Sequence, residues 1–256
     1  MPADRPAGPA DRLLGAARVL RDELAALRFG APVTHVYDPL QYAWAPFEAY
    51  VRRFGGQPRR VVLLGMNPGP YGMMQTGVPF GEVGAVRDWM GIEAPVSQPA
   101  ASHPKRPIEG FACRRSEVSG RRLWGWAAQR FGTAQRFFEE CYVLNWCPLV
   151  FLEAGGRNRT PDRLPAAELA PLQAACDAHL RTAFDALAPD WAVGVGGFAT
   201  RRLRIALADR AAAGLRIASM LHPSPASPAA NRGWAGQADR QLVEAGVFAP
   251  APPQPA

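Results

Sequence analysis

Residues 59–82 read RRVVLLGMNPGPYGMMQTGVPFGE, and this stretch decides the fold. The apolar run 61–64 leads directly into a loop in which five glycines and three prolines fall between positions 65 and 82. Glycine and proline are the residues that hold a backbone in special turn conformations. The stretch therefore predicts a buried strand followed by a loop of fixed shape, against whose backbone a ligand would lie.

Three more short apolar runs follow the first one along the chain: CYVLNWCPL (141–149), WAVGVGG (191–197) and LRIASMLHP (215–223). Each is typical of a strand that is covered on both faces. Helical patterns occur between and around the runs, at residues 11–28, 82–90, 120–139, 165–187 and 198–213. This alternation predicts one α/β domain with a four-stranded, mainly parallel sheet and helices on both sides. We assign the domain to residues 11–248 and expect disordered tails at 1–10 and 249–256, which are rich in proline and alanine.

Composition and net charge limit the classes of protein to which this chain can belong. The 256 residues carry a net charge of +7, and Lys105 is the only lysine among 29 basic residues. The arginine bias is typical of a GC-rich genome, whereas the net positive charge favours a polyanionic partner such as nucleic acid. No apolar run is long enough for a membrane span and no secretory signal begins the chain, so a cytoplasmic, nucleoid-associated protein without membrane contact is expected. The four cysteines form no CxxC pair, and no metal site is predicted.

A polar residue or a pair of glycines lies at or near the end of each predicted strand. Asn67 follows the first, Asn145 lies in the second, Gly196 and Gly197 end the third, and His222 ends the fourth. Ligands of open parallel sheets bind outside the carboxyl ends of the strands. We therefore expect these residues to lie together in one cleft.

Taken singly, each residue also has an ordinary structural explanation. Asn67 before a proline is typical of an Asx turn, and His222 could be a structural histidine. Asn145 is unusual within a strand, and either the sheet edge or a ligand would satisfy its amide. Phe80, between Pro79 and Gly81, is either core or a platform for stacking on a base.

Two further segments indicate a ligand contact more weakly. RRSEVSG (114–120) is either a solvated helix start or a phosphate contact. VGVGGFAT (193–200) matches a dinucleotide-binding fingerprint only loosely and lacks the acidic residue that would bind the ribose. Its glycines would instead let a phosphate approach the N-terminus of the following helix.

Four motifs in order resemble one family closely: GMNPGPYGMMQTGVPFGE, RRSEVSG, YVLNWCPLVFLEAGGRNRTP and HPSPASPAANRGW. They are similar to the single-strand-selective monofunctional uracil-DNA glycosylases of the uracil-DNA glycosylase superfamily, and the likeness extends from about residue 30 to 248. The chain is taken as a bacterial member. The resemblance implies a three-layer α/β/α sandwich and the excision of uracil, without metal or cofactor, from single- or double-stranded DNA by a monomer.

The resemblance also implies roles for individual residues. Asn67 would hold the hydrolytic water and His222 would stabilise the departing base. Asn145 would read the uracil edge and Phe80 would stack on it. Gly69 would leave room beside C5, which would admit 5-hydroxymethyluracil and other oxidised pyrimidines.

Further residues are implied in substrate and DNA contacts: Met66 for the base, and Ser116, Gly197, Ser224, Asn231 and Arg232 for DNA. The chain departs from the family pattern at two positions. Ala226 stands where an arginine often supports insertion into the DNA stack, a function for which Arg232 could partly compensate. Tyr71 stands where phenylalanine is common and adds a hydroxyl near the pocket.

The chemistry of the residues agrees with this expectation. Breaking an N-glycosidic bond leaves negative charge on the base, which a histidine or amide donor would stabilise. A bifunctional glycosylase needs an amine, and Lys105 lies outside every motif, so monofunctional action is expected. The main alternative is a relative specific for xanthine or hypoxanthine. The presence of both Asn67 and His222 argues against a DNA-binding protein without catalysis, and the missing acidic ribose partner argues against a nucleotide-dependent oxidoreductase.

Overall fold

A computed structural model describes residues 7–250 of the chain. Its strands, in chain order, are β1 (Val33–Tyr37), β2 (Val61–Gly65), β3 (Cys141–Asn145), β4 (Val150–Glu153), β5 (Asn158–Arg159), β6 (Trp191–Val195) and β7 (Arg216–Met220). Its α-helices are α1 (Pro9–Ala25), α2 (Pro39–Tyr42), α3 (Trp44–Phe54), α4 (Met73–Thr76), α5 (Val118–Phe131), α6 (Ala134–Glu140), α7 (Ala166–Leu187), α8 (Gly197–Ala206), α9 (Ala208–Ala212) and α10 (Trp234–Glu244).

The four predicted strands form one sheet in the order β3-β2-β6-β7, and every neighbouring pair is parallel. Val61 lies opposite Cys141 on one side and opposite Trp191 on the other. All residues of β2, β3 and β6 are buried, as expected for strands with helices on both faces. The prediction of an α/β protein with a four-stranded parallel sheet is confirmed.

The order of the strands places helices on both faces. The chain moves from β2 to β3 in one direction and from β3 past β2 to β6 in the other. Right-handed crossovers then put α5 and α6 on one face and α7 and α8 on the opposite face. Helix α10 packs against α5 and β7, and α1 packs against α7, which completes the two outer layers.

A second sheet was not predicted. Strands β1, β4 and β5 form an antiparallel sheet in the order β1-β4-β5. The apolar run predicted as one strand over 141–149 is in fact β3, which ends at Asn145, and a turn containing Pro148 that leads into β4. Proline cannot donate to a ladder, so the chain leaves the parallel sheet at this point. Helices α3 and α10 were also missed.

The termini differ in part from the predicted tails. Helix α1 begins at Pro9, a favourable first helical residue because its missing N–H would be unpaired there in any case. The predicted disorder of residues 9 and 10 is therefore wrong. Residues 7, 8, 249 and 250 of the predicted tails are described and belong to no helix or strand. Residues 1–6 and 251–256 lie outside the described residues, and the single domain at 11–248 stays a prediction.

Between residues 7 and 250, no helix combines the length and the apolar character that crossing a bilayer requires. Within the same range no three histidine, cysteine or acidic side chains are grouped as metal ligands would be. The four cysteines are buried and unpaired.

Candidate active site

A cavity of about 430 Å³ opens at the carboxyl ends of the parallel strands. Its wall includes residues 66–71 and 116–119, together with Phe80, Asn145, Asn158, Thr160, His222, Ser224 and Pro225. Adjacent strands β2 and β6 lead to helices on opposite faces of the sheet, which is the topological switch point where ligands of α/β folds bind. The structure thus brings Asn67, Asn145 and His222 together on one cavity.

The orientation of the Asn67 amide follows from one hydrogen bond. Its Nδ2 donates to the carbonyl oxygen of Leu149 at 3.2 Å. This bond assigns the other end of the amide, Oδ1, as an acceptor, and Asn67 lines the cavity. A group that only accepts is suited to hold a water molecule by one of its protons.

Gly65 at the end of β2 permits a close approach of two side chains. A Cβ at this position would lie 2.4 Å from Oδ1 of Asn145 and 2.6 Å from Cε2 of Phe80. These distances are too short for any other residue without a displacement of the amide or the ring. The absence of a side chain at position 65 is therefore what lets the Asn145 amide and the Phe80 ring converge.

Phe80 has a backbone conformation that is rare for an aromatic residue. Its φ is +53°, in the left-handed region, and strain of this kind is often found at functional sites. Its carbonyl accepts a hydrogen bond from Nε1 of Trp124 at 2.9 Å. The ring lies with its centroid 6.5 Å from that of His222, so both rings border the same space.

The buried amide of Asn145 has few protein partners. Its Nδ2 donates to the thioether sulfur of Met73 at 3.3 Å, which is a weak acceptor, and Oδ1 accepts no hydrogen bond among residues 7–250. No backbone group of the sheet edge satisfies it within the part of the chain described. The amide can thus donate and accept towards a ligand in the cavity.

His222 is fixed on one side by the loop that follows it. Its Nδ1 accepts a hydrogen bond from the backbone N–H of Ser224 at 3.1 Å. In the neutral ring the proton is then on Nε2. Burial lowers the pKa of His222 and keeps the ring neutral. Gly196, with φ +89°, makes room for it, since a Cβ there would lie 3.0 Å from the Cβ of His222.

Glu117 places a carboxyl group where glycines leave space. A Cβ at Gly72 would lie 2.2 Å from its Oε2, and a Cβ at Gly69 would overlap its Oε1. Burial, opposed by a hydrogen bond from the backbone N–H of Gly120 and supported by the charge of Glu82, raises the pKa of Glu117 to about 7. The room beside Gly69, expected to serve a pyrimidine C5, is thus bordered by a buried carboxyl.

Two amides brace the glycine- and proline-rich loop from outside. Gln75 is fully buried; its Nε2 donates to the carbonyls of Pro70 and Pro107, and its Oε1 accepts from the backbone of Glu109 and Gly110. Asn158 donates from Nδ2 to the carbonyl of Pro68 at 3.0 Å. Because a buried loop must satisfy its polar backbone groups, these bonds hold the segment that carries Asn67.

The predicted substrate and DNA contacts divide into two groups. Met66, Gly69, Ser116 and Ser224 line the cavity along with the residues above. Gly197 is exposed at the start of α8, and Arg232 is exposed; neither lines the cavity.

Asn231 also lies outside the cavity, and its side chain is engaged within the protein. Its Oδ1 accepts from Arg122 and its Nδ2 donates to the carbonyl of Pro225. Arg122 also donates to the carbonyl of Pro223 at 2.9 Å, so the two residues tether the loop that follows His222.

Sequence reasoning did not single out several residues of the cavity wall. Glu117, Asn158 and Thr160 were quoted only as parts of longer motifs. A glutamate directly before a predicted helix is an unremarkable helix cap in sequence, and nothing local indicates that its carboxyl reaches the glycines 45 to 48 positions earlier.

A second cavity, of about 640 Å³, lies beside α1 and β1. None of the predicted site residues lines it. It contains the buried carboxyl of Asp38, whose Oδ1 accepts from the backbone N–H of Leu40 and whose Oδ2 has no hydrogen-bond partner among residues 7–250. Burial raises the pKa of this carboxyl to about 6. The smaller cavity is the better candidate because amide, imidazole and aromatic groups converge there.

Comparisons with known proteins agree with this geometry. Residues 53–243 match the family model of the uracil DNA glycosylase superfamily. Single-strand selective monofunctional uracil DNA glycosylases from Bos taurus and Mus musculus are each 48% identical to this chain over 229 residues. The matched region covers 90% of this chain and 84% and 82% of the two relatives.

A solved structure is also similar. The crystal structure of wild-type Pedobacter heparinus SMUG2 superposes with a TM-score of 0.65 at 18% identity, covering 91% of this chain and 97% of that chain. At this level of identity the likeness concerns the fold.

Proposed function

This chain belongs to the uracil DNA glycosylase superfamily, and from that premise we propose that it hydrolyses the N-glycosidic bond of uracil in DNA and leaves an abasic site. One observation supports the proposal above the others. A water-holding amide oxygen, a second amide free to donate and accept, an aromatic ring and a neutral imidazole border one cavity. These are the groups that cleavage of a flipped-out nucleotide requires.

The reaction assigns a role to each group. Uracil enters the cavity, stacks on Phe80 and pairs its edge with the Asn145 amide. A water held by Oδ1 of Asn67 forms a bond to the sugar C1′ while the C1′–N1 bond breaks and its electron pair goes to the base. His222 stabilises the resulting anion by donating from Nε2, and the proton of the water passes to solvent or to the base.

The products are those of a monofunctional enzyme. A lyase step needs an amine that forms a Schiff base with the sugar, and Lys105 does not line the cavity. We therefore expect hydrolysis alone.

We extend the proposal to 5-hydroxymethyluracil and related oxidised pyrimidines. The carboxyl of Glu117 occupies the space that a side chain at position 69 would take, and it lines the cavity, where it can exchange hydrogen bonds with a polar C5 substituent. Excision of xanthine or hypoxanthine is the less favoured alternative, because the relatives are named for uracil.

Contacts to DNA and the oligomeric state complete the proposal. Ser116 and Ser224 at the cavity, with Gly197, Asn231 and Arg232 outside it, are candidates for DNA contacts, and nucleoid DNA would supply the substrate. We propose a monomer, since the large apolar side chains exposed between residues 7 and 250 lie singly on three different elements.

The decisive experiment is an excision assay. We expect release of uracil from a defined oligonucleotide, detected as alkaline cleavage at the abasic site, with strand breakage only after the alkaline treatment. Single- and double-stranded substrates with uracil, 5-hydroxymethyluracil, hypoxanthine or xanthine give the preference. The Asn67→Ala variant is the matched control that lacks the water-holding oxygen. Failure to release any of these bases would refute the proposal.

Replacing Asn145 tests the assignment of base recognition. We expect Asn145→Ala to lower kcat/KM for uracil about 10- to 100-fold, because the base edge loses its paired donor and acceptor. The ratio of kcat/KM for uracil to that for hypoxanthine should fall in parallel. Thermal unfolding of the variant serves as the control for folding. An unchanged ratio in a folded variant would show that another group reads the base.

A further inference from the structure

The side chain of Tyr71 carries an unusual pair of neighbours. Arg106 and Arg115 both donate a hydrogen bond to its hydroxyl oxygen. The carbon of each guanidinium also lies over the aromatic ring, 5.5 Å and 4.6 Å from its centroid. Two cations therefore meet at one neutral side chain.

This cluster has more hydrogen-bond donors than acceptors. A phenol oxygen has two acceptor positions, and the two arginines fill both. The hydroxyl proton of Tyr71 has no acceptor among residues 7–250, and neither arginine is in an ion pair there. Arg106 uses its Nε to donate to the carbonyl of Gly156 at 2.6 Å. Its second terminal nitrogen, and the remaining nitrogens of Arg115, are free to donate to an additional group.

The position of the cluster connects it to the candidate active site. Tyr71 lines the cavity, and Ser116, the residue after Arg115, lines it as well. Arg115 is exposed and Arg106 is half-buried, so the cluster lies between the cavity and solvent. A strand whose target base is inside the cavity must carry its backbone past this rim.

We propose that Tyr71, Arg106 and Arg115 form a binding site for a backbone phosphate of the DNA strand that carries the target nucleotide. The inference rests on the proposed function, because it takes DNA as the substrate. A phosphodiester offers only acceptors and one negative charge, and the cluster offers only donors and two positive charges. Guanidinium groups match the spacing of the two non-bridging phosphate oxygens and bind them by charge-assisted hydrogen bonds.

The cluster would also supply two cations to the rim of the cavity, whereas Ser224 and Pro225, the residues of the loop after His222 that line the cavity, carry no charge. That loop has Ala226 at the position where the family often has arginine. A phosphate held at Tyr71 would fix the strand on the other side of the cavity, next to the loop that carries Asn67. The hydroxyl of Tyr71, which a phenylalanine would lack, orients both guanidiniums.

Binding of a strand without uracil tests the site independently of catalysis. The probe is a single-stranded oligonucleotide with a tetrahydrofuran abasic-site analogue, and its Kd is measured by fluorescence anisotropy at several salt concentrations. We expect Arg115→Ala to weaken binding roughly tenfold and to lower the slope of log K against log salt by about 0.7. Tyr71→Phe should weaken binding less, since it keeps the ring and both charges.

Arg136→Ala is the matched control. Arg136 is exposed on α6, directly before the amino end of β3, and so lies at the end of the sheet opposite the cavity. Its removal also subtracts one positive charge, and we expect little change in Kd. If Arg115→Ala and Arg136→Ala weaken binding equally, the loss of affinity reflects net charge alone, and the proposal is overturned.

A scan of neutral methylphosphonates identifies the contact itself. Each phosphate near the analogue is replaced in turn. The unaltered protein should lose affinity most at one position, and Arg115→Ala should lose little more at that position while responding normally at the others. If the variant unfolds at the same temperature and remains as sensitive as the unaltered protein at every position, the arginines only brace the loop. Release of uracil by the unaltered protein is scored separately, so failure of this site and failure of the proposed function are distinguishable.

Discussion

The His222→Ala variant is expected to release uracil about 10²- to 10³-fold more slowly than the unaltered protein under single-turnover conditions. That is the range found when one preorganised donor to a developing anion is removed. Binding of an oligonucleotide that carries an abasic-site analogue should change little, because the lost interaction forms as the C1′–N1 bond breaks.

The geometry explains why a neutral imidazole can provide this effect. The backbone N–H of Ser224 occupies Nδ1, so the neutral ring has its proton on Nε2. Burial lowers the pKa of His222 below the ordinary value of 6.5, so the neutral ring is the major form above that pH. A fixed neutral donor needs no reorganisation as negative charge moves onto the base, and we expect the contribution of His222 to the rate to persist as the pH rises to 8.

Two variants sharpen the test. His222→Gln keeps an N–H donor on a side chain of similar reach and should recover part of the rate. His35→Ala removes a half-buried histidine on β1, away from the cavity wall, and should leave the rate unchanged. A rate for His222→Ala within threefold of the unaltered protein would contradict the assigned role.

The sequence predicts those parts of the fold that short, local patterns of residues encode. Short apolar runs between helical patterns indicate parallel strands, and the carboxyl ends of such strands share one edge. Those two local signals were sufficient to predict β2, β3, β6 and β7 and to single out Asn67, Asn145 and His222. The antiparallel sheet was missed because β5 has only two residues and β4 follows β3 after a turn without a polar break.

Contacts between distant segments account for what could not be predicted. The backbone of Phe80 is held in place by Trp124, 44 positions later, whose Nε1 donates to the carbonyl of Phe80 at 2.9 Å. The position of the Glu117 carboxyl depends on where the start of α5 meets the loop. No periodicity in either segment contains that information.

Glutamine at position 117 is expected to stabilise the protein at alkaline pH. Burial raises the pKa of Glu117 from about 4.5 in the unfolded chain to about 7 in the folded protein. Between these two pH values the folded state holds a proton that the unfolded state has lost. The free energy of unfolding therefore falls as the pH rises from 4.5 to 7 and is level above that.

The expected loss of stability follows from the size of the pKa shift of Glu117. From pH 5 to pH 8 the unaltered protein should lose roughly 2 to 3 kcal/mol through this group. Glu117→Gln carries no charge and should be more stable by a similar amount at pH 8, which corresponds to a rise in Tm of roughly 5 to 10 °C. At pH 4.5 and below the two proteins should unfold at nearly the same temperature.

Thermal unfolding at pH 4.5, 5, 6, 7 and 8 measures this difference. Glu93→Gln, at an exposed carboxyl, is the control for removal of one negative charge. Glu117→Ala is unsuitable, because it would leave an empty space below Gly69 and Gly72 as well as removing the charge. Parallel Tm profiles for Glu117→Gln and the unaltered protein would show that folding does not raise the pKa of this carboxyl, contrary to the prediction.

The same charge should affect catalysis, since Glu117 lines the cavity in which, under the proposed function, the base would become an anion. An ionised carboxyl in a site of low dielectric constant opposes a second negative charge nearby. The rate of uracil release by the unaltered protein should therefore decline as the pH passes 7, and Glu117→Gln should remove that decline. A decline of equal size in both proteins would assign it to another group, while the stability profiles would still report on Glu117 itself.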